Sequence, residues 1–284
     1  MRQSWVGVTL VLMSSVAFSS AGYFTRLIPL DVWTMLFWRC LFGGLFIALC
    51  VLLHHRGRVW EAWRGLGVSG LLIALCSTVS TLCFINALRL TSVADVNVIF
   101  ATAPFVSAGL AWAFTGTRES RATLAASSVA LLGVAIMVDA AVTEGHWLGD
   151  LLALVMTVLL AAMMVMIRHR KPGPALPAAS LSAFLAALAV LPWAHPLAVG
   201  RHDMGLLVLF GVSQFGLGLA LLTVGTRLIS ATRAALLSAL EMPFAIAWVW
   251  IGLSEAPTLA ATVGGTVVMG AVLGDLLWQR RGLR

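Results

Sequence analysis

Long apolar stretches separated by short polar connections recur ten times along the chain. Most are about 20 residues long, the length that an α-helix needs to cross the hydrocarbon core of a bilayer. The pattern predicts ten transmembrane helices, at approximately 5–24, 33–53, 67–88, 93–114, 122–141, 149–167, 178–194, 204–225, 232–253 and 259–278. The connections are too short to form a separate domain, so we expect the protein to act within the membrane or at its surfaces.

The composition indicates that lipid is the main solvent of this chain. Hydrophobic residues make up 61% of its 284 positions and charged residues only 10%. Soluble globular proteins carry about 45–50% apolar and about 25% charged residues. These proportions exclude a soluble enzyme and a disordered regulator.

The distribution of the charged residues predicts the orientation. The net charge of +7 could by itself indicate a nucleic-acid partner. If the spans alternate in direction, however, most of the 18 Lys and Arg residues fall on one side of the membrane. That side holds Arg2, Arg56, Arg58, Arg64, Arg118, Arg121, Arg168, Arg170, Lys171, Arg227, Arg233, Arg280, Arg281 and Arg284. Such an asymmetry is typical of cytoplasmic loops, so we expect both termini in the cytoplasm and no nucleic-acid partner.

The chain contains an internal repeat. Arg89 is followed by Leu-Thr-Ser and precedes Pro104 by 15 residues. Arg227 is followed by Leu-Ile-Ser and precedes Pro243 by 16 residues. The two prolines therefore occupy matching places in the fourth and ninth spans, where we expect paired kinks.

The repeat divides the chain into two halves of five spans each. We expect a first five-helix repeat over residues 1–145 and a second over residues 146–284 of one membrane domain. Because five is an odd number, the second repeat enters the membrane from the opposite face. The predicted fold class is thus an all-α integral membrane protein with two inverted five-helix repeats. Secondary transporters share this organisation and bind substrate at the repeat interface.

The segment from Arg227 to Gly270 carries the pattern Arg-x-x-Ser-Ala-Thr … Glu-Met-Pro-Phe … Gly-Leu-Ser-Glu-Ala-Pro-Thr. With ten short spans in two halves, it resembles the drug/metabolite transporter superfamily and, within it, the EamA family. Phe37-Trp38-Arg39 in the second span also resembles a family feature. Among the branches, the chain is similar to YddG-type exporters of aromatic amino acids. The resemblance implies a multi-pass protein of the bacterial inner (plasma) membrane that exports small metabolites by alternating access through a central cavity.

Polar residues on single faces of the spans are the candidates for substrate binding. Four residues of the third span share one helical face, which could hydrogen-bond a polar solute or pack against a neighbouring helix. Two methionines seven positions apart on the sixth span could add a pliable apolar wall. The expected substrate-binding residues are Ser77, Ser80, Thr81, Phe84, Asn97, Phe100, Ala101, Met156, Met163, Gln214, Ser238, Glu241 and Trp248.

Glu241 is the acidic candidate in the middle of a span. A carboxylate at this depth costs roughly 3 kcal/mol on insertion scales, so it needs a partner. It could bind a substrate ammonium group, exchange a coupling proton, or form a structural ion pair with Arg39, the one cation predicted within a span. We expect structural or gating roles for Arg39, Pro104 and Pro243.

The sequence carries no motif for cofactor or metal chemistry. It has no Walker A, no HExxH and no Cys/His cluster, so we expect no cofactor and no metal site. Gly67-Val68-Ser69-Gly70 matches the GxSG of rhomboid proteases, but all six histidines fall in predicted loops or at their edges. A serine nucleophile needs a base within hydrogen-bond reach, so we do not expect an enzyme.

The resemblance to the transporter family implies export of small metabolites, in particular aromatic amino acids or other amphiphilic solutes. One alternative is a proton-coupled multidrug exporter, for which Glu241 would be indispensable. An alternative of another class is an intramembrane enzyme or assembly factor. The expected partners are the substrate and the lipid bilayer, and the sequence leaves open whether the protein is a monomer or a homodimer.

Overall fold

The computed structural model describes residues 2–55, 59–91, 93–137, 147–169, 175–254 and 256–282. Within these ranges the chain consists of helices joined by short connections. The α-helices are α1 (Arg2–Ser19), α2 (Ala21–Leu27), α3 (Val32–His55), α4 (Val59–Arg64), α5 (Gly67–Leu90), α6 (Val93–Phe100), α7 (Ala103–Thr115), α8 (Arg121–Met137), α9 (Trp147–His169), α10 (Ala175–Val190), α11 (Arg201–Leu209), α12 (Leu217–Thr226), α13 (Ala231–Ser238), α14 (Glu241–Leu253) and α15 (Leu259–Gly282). A π-helical segment, Phe210–Gly216, joins α11 to α12.

These helices form the ten expected spans. Within the described residues, nine stretches are long and apolar enough to cross a membrane, and α8 is a shorter apolar helix that forms the fifth span. Span one combines α1 with α2, span four α6 with α7, and span nine α13 with α14, whereas span eight runs through α11, the π-helical segment and α12. Spans two, three, six, seven and ten are α3, α5, α9, α10 and α15. The all-α membrane fold predicted from the apolar pattern is confirmed.

The packing of the spans follows a two-fold relation between the halves. Span two packs against span seven, span four against span nine, and span five against span ten, so each of these spans contacts its own counterpart. Span one packs against span eight and span three against span six, and exchanging the halves converts one contact into the other. This is the arrangement expected for two inverted five-span repeats. The boundary expected at residues 145 and 146 lies outside the described residues.

Spans four and nine are interrupted at matching places. α6 ends at Phe100 and α7 begins at Ala103, whereas α13 ends at Ser238 and α14 begins at Glu241. A proline follows each interruption within the first turn of the next helix, as its second residue in span four and its third in span nine. Since proline has no N–H and its ring clashes with the preceding turn, a regular helix cannot continue through it.

The two interrupted spans are buried to different extents. All eight residues of α13 are buried, whereas in its counterpart α6 Asn97, Val98 and Ile99 are only half-buried. α13 lies at the end of the bundle where α1 begins and α15 ends, which we call the terminal end. α6 lies at the other end, which we call the opposite end. The halves therefore share a fold but not a conformation, and the bundle is packed more tightly at its terminal end.

Polar contacts also join the helices at the terminal end. Arg233 of α13 forms an ion pair with Asp275 of α15, and the two side chains are 7% and 1% exposed. The hydroxyl of Thr123 donates to the same carboxylate at 2.9 Å, which adds span five to the contact. Ser230, the N-cap of α13, donates to Glu119 at 3.2 Å. Three spans are thereby tied together where the apolar core is tightest.

Candidate functional site

A cavity of about 210 Å³ lies between the two halves and is lined by spans one, two, three, four, six, eight and nine. Twelve of the residues singled out in the sequence line it: Arg39, Ser77, Ser80, Thr81, Phe84, Asn97, Phe100, Met156, Met163, Gln214, Ser238 and Glu241. The remaining lining residues are Phe18, Ala21, Val96, Leu160, Met164, Phe215, Leu219, Leu222 and Met242. The wall is therefore mostly apolar, with a few polar side chains and one charge of each sign.

Four of the expected residues lie outside this lining. Ala101 and Pro104 border a much smaller void of about 10 Å³ between α6, α7 and α13. Trp248 is 39% exposed and its indole Nε1 donates to the hydroxyl of Ser19 at 3.1 Å, so it belongs to the contact between spans nine and one. Pro243 packs near Gly265 of span ten.

The hydroxyl groups of span three divide into two kinds. Ser80 donates to the backbone carbonyl of Met156 at 3.1 Å, which ties span three to span six. Thr81 donates to the carbonyl of Ser77 in its own helix at 2.9 Å. The side chain of Ser77 makes no hydrogen bond within the described part of the chain, and neither does that of Asn97 on span four. These last two groups are thus left to bind water or a solute in the cavity.

Glu241 is the first residue of α14 and faces the cavity. The N-terminus of a helix carries a partial positive charge that favours a nearby carboxylate, and the interruption of span nine brings that terminus to the depth of the cavity. Ser238, on the other side of the interruption, donates to the carbonyl of Ala234 at 3.0 Å. The break in span nine therefore places an acidic side chain in a mostly apolar wall.

Arg39 reaches the same cavity from span two. Its guanidinium carbon lies 4.6 Å from the ring centroid of Phe215 and 5.5 Å from that of Phe210, both within the range of a cation–π contact. Its Nε atom is buried without a hydrogen-bond partner among the described residues. The charges of Arg39 and Glu241 attract each other across the site. In the described structure, however, their side chains form no ion pair within 4.0 Å.

The π-helical segment of span eight holds the aromatic partners of Arg39. π-Helical turns are rare and occur most often at functional sites. The segment also carries Gln214, whose amide nitrogen donates to the carbonyl of Phe18 at 3.2 Å. The amide oxygen of Gln214 is buried with no hydrogen-bond partner in the described residues. Gln214 therefore lines the cavity with an amide group whose oxygen is buried and unpaired in the described residues.

Close packing of backbones fixes this segment against span two. A Cβ atom added at Gly43 would lie 2.7 Å from the ring of Phe215 and 3.0 Å from the carbonyl oxygen of Gly211. One added at Gly211 would lie 2.9 Å from the carbonyl oxygen of Arg39. Glycine at both positions is what lets the two helices approach closely enough for the guanidinium group of Arg39 to lie within cation–π distance of the phenylalanine rings.

The remaining wall of the cavity is hydrophobic and adaptable. Met156, Met163 and Met164 contribute thioether side chains from span six, and such side chains adjust to ligands of different shape. Phe18, Phe84 and Phe100 add aromatic rings from three other spans. Within the described residues, no three His, Cys, Asp or Glu side chains come together as a metal site requires. The cavity can therefore accommodate both polar and apolar groups of a solute.

Ten spans in two inverted repeats around a central cavity define the class of the protein, a secondary transporter. The sequence profile of the EamA-like transporter family matches residues 5–139 and residues 147–275, one match for each half. The chain belongs to this family. It is a multi-pass membrane protein that transports a small molecule.

One solved structure, titled only "Crystal structure of protein", shares the fold over its full length. It has a TM-score of 0.79 and 17% sequence identity, and the similarity covers 97% of this chain and 98% of that chain. At this identity the likeness concerns the fold alone. No curated protein matches the sequence.

Proposed function

We propose that the protein exports small amphiphilic metabolites, with aromatic amino acids as the preferred substrates, by alternating access. The observation that carries this proposal is the character of the cavity. Arg39 and Glu241, together with the polar side chains Ser77, Ser80, Thr81, Asn97, Gln214 and Ser238, lie in a wall that is mostly formed by methionine, leucine and phenylalanine. Such a surface suits a solute with an aromatic ring and a zwitterionic end, because both parts find matching surroundings.

The unequal burial of α6 and α13 supports alternating access. If the halves exchanged conformations, α6 would become as buried as α13 is here, and α13 would become as exposed as α6. The cavity would then close at the opposite end and open at the terminal end. Inverted repeats give the two states similar energies, because each state uses the same two conformations in exchanged halves.

The charge distribution supports one orientation of these ends in the membrane. Arg64, Arg118, Arg121, Arg168 and Arg227 all lie at the terminal end, which the positive-inside rule makes cytoplasmic. On this assignment the conformation described here is outward-facing. The ion pair of Arg233 with Asp275 then belongs to the closed cytoplasmic gate.

Unpaired polar groups at this gate favour the same interpretation. The hydroxyls of Thr226 and Thr232 are buried without a hydrogen-bond partner among the described residues. Leaving such groups unsatisfied costs free energy, and opening of the cytoplasmic end would hydrate them. These unpaired hydroxyls lower the stability of the closed gate and so favour its opening to the inward-facing conformation.

A flux assay tests the proposal. The purified protein is reconstituted in liposomes, and exchange of labelled phenylalanine, tryptophan and a hydrophilic amino acid such as serine is followed with protein-free liposomes as the control. We expect saturable exchange of the aromatic amino acids well above that of serine. Absence of exchange for every amino acid would rule out the proposed substrate class.

The carboxylate of Glu241 in the cavity favours a second candidate, a proton-coupled multidrug exporter. The same liposomes distinguish the two when a pH gradient is imposed. Flux of aromatic amino acids that ignores the gradient excludes proton coupling, and Glu241→Gln should then retain exchange. Flux of lipophilic cations that requires the gradient and is lost in Glu241→Gln would support the multidrug exporter instead.

A further inference from the structure

The cavity holds one cationic and one anionic side chain on different spans, close enough to attract but not in direct contact. We propose that Arg39 and Glu241 together select a zwitterion, with Arg39 binding the carboxylate of the solute and Glu241 its ammonium group. This inference rests on the proposed function, since it names the charge pattern that a transported solute must carry.

The surroundings of Arg39 prepare it to bind a carboxylate. The rings of Phe210 and Phe215 lie within cation–π distance of its guanidinium carbon and so restrict its position before any ligand arrives. A guanidinium group presents a planar fork of donors that matches the two oxygens of a carboxylate. The Nε donor of Arg39 is buried and unused in the described structure. An incoming carboxylate would supply the counter-charge and the acceptors that Arg39 lacks in the described structure.

The position of Glu241 suits the other half of a zwitterion. Its carboxylate lies at the start of α14, in the cavity, and forms no hydrogen bond or ion pair within the described part of the chain. An ammonium group offers three donors and a positive charge. Asn97 also lines the cavity, and its amide oxygen is a further acceptor for the ammonium group.

The absence of a direct ion pair is what makes room for the ligand. The attraction between two charges falls as their separation grows, so Arg39 and Glu241 stabilise each other weakly across the cavity. A zwitterion placed between them replaces one long attraction by two short ones. A purely structural ion pair would instead bring the two side chains into contact and leave no charged group to bind a solute.

The pair also discriminates against solutes of a single charge. An amine without a carboxylate would leave Arg39 without a counter-ion, and an acid without an ammonium group would leave Glu241 without one. A buried charge left unpaired is strongly unfavourable. Selectivity therefore comes from the penalty on wrong ligands as much as from contacts with the right one.

Three ligands that share a phenyl ring test the inference: L-phenylalanine, phenethylamine, which lacks the carboxylate, and 3-phenylpropionate, which lacks the ammonium group. Binding to the full-length protein in nanodiscs is measured by isothermal titration calorimetry, independently of flux. We expect the wild type to prefer phenylalanine over each analogue by about tenfold or more, since a hydrogen-bonded charge contact contributes that much.

Single variants assign each contact. Arg39→Gln should abolish the preference over phenethylamine and keep the preference over 3-phenylpropionate. Glu241→Gln should do the reverse, and Arg39→Lys and Glu241→Asp should restore part of the selectivity. Arg201→Gln and Glu61→Gln, which change exposed residues outside the cavity, are the matched controls and should leave both ratios unchanged.

A structural role for the pair predicts a different result, an equal loss of affinity for all three ligands. Either that result or equal affinity of the wild type for the three ligands would overturn the inference. The comparison on the wild type does not depend on whether any variant folds. Selective binding without any exchange in liposomes would refute the proposed export while leaving the zwitterion site in place. Exchange of phenylalanine without selectivity between the three ligands would refute the zwitterion site and leave the proposed export in place.

Discussion

The Nε atom of Arg233 lies 3.2 Å from Oδ2 of Asp275, and this ion pair joins span nine to span ten at the terminal end of the bundle. Both side chains are almost completely buried, and Thr123 donates a further hydrogen bond to the carboxylate. Removing one member of a buried pair leaves the other charge without compensation. The pair is therefore sensitive to substitution of either residue.

Asp275→Asn should strongly destabilise the protein. Loss of one partner of a buried ion pair costs about 3–5 kcal/mol, and the apparent melting temperature in detergent should fall accordingly. Asp203→Asn, in the first turn of α11, is the control and should melt like the wild type. A melting temperature unchanged by Asp275→Asn would mean that the pair contributes nothing to this packing.

Cross-linking the terminal end should arrest transport. Ser230 and Glu119 are joined by a hydrogen bond between spans nine and five, so cysteines at these two positions can be bridged by a short bis-methanethiosulfonate, which forms a reducible disulfide with each thiol. The four native cysteines are first replaced. We expect exchange in liposomes to fall to background and to recover on reduction, because the terminal end could no longer open.

The single variants Ser230→Cys and Glu119→Cys, treated with the same reagent, control for modification alone and should retain exchange. Phenylalanine binding to the cross-linked protein should also persist, since the cavity is lined mainly from the middle and the opposite end. Undiminished exchange in the cross-linked protein would contradict alternating access through this end.

The fold could be predicted from the sequence because its two determinants are local. Hydropathy over about 20 residues marks each span, and the matched spacing of Arg89 with Pro104 and of Arg227 with Pro243 marks the repeat. An odd number of spans in each half then determines the inverted arrangement. The interruption of span eight by a π-helical segment could not be predicted in this way, since its residues look like any apolar helix.

The site could be predicted only where polarity distinguishes one helical face from another. Ser77, Ser80 and Thr81 stand out in span three because hydroxyl groups avoid lipid. Phe18 and Leu219 also line the cavity, but apolar side chains face lipid and cavity alike, so hydropathy carries no signal for them. Trp248 shares a helical face with Glu241, but it lies two turns further along α14, where span one packs against that face.

Trp248→Phe should affect stability and leave binding unchanged. The substitution removes the indole N–H that donates to Ser19, and loss of one such hydrogen bond costs about 0.5–1.5 kcal/mol. The affinity for phenylalanine should stay within about twofold of the wild type, as expected for a change outside the site. A larger loss of affinity for phenylalanine at unchanged stability would mean that Trp248 contributes to substrate binding.

Gly43→Ala should weaken substrate binding without touching the substrate. The added methyl group would lie 2.7 Å from the ring of Phe215 and 3.0 Å from the backbone oxygen of Gly211, and the backbone cannot move aside as a flexible side chain can. Such overpacking costs about 1–3 kcal/mol. It would separate span two from the π-helical segment and weaken the cation–π contacts of Arg39 with Phe210 and Phe215.

Gly43→Ala should therefore have the same effect as Arg39→Gln, a smaller preference for phenylalanine over phenethylamine. The preference is measured by calorimetry in nanodiscs. Gly270→Ala is the matched control, because a methyl group there meets no atom within 4 Å, and it should preserve both stability and selectivity. If Gly43→Ala lowered the melting temperature but kept the full preference for phenylalanine, close packing of the two helices would not be what orients Arg39.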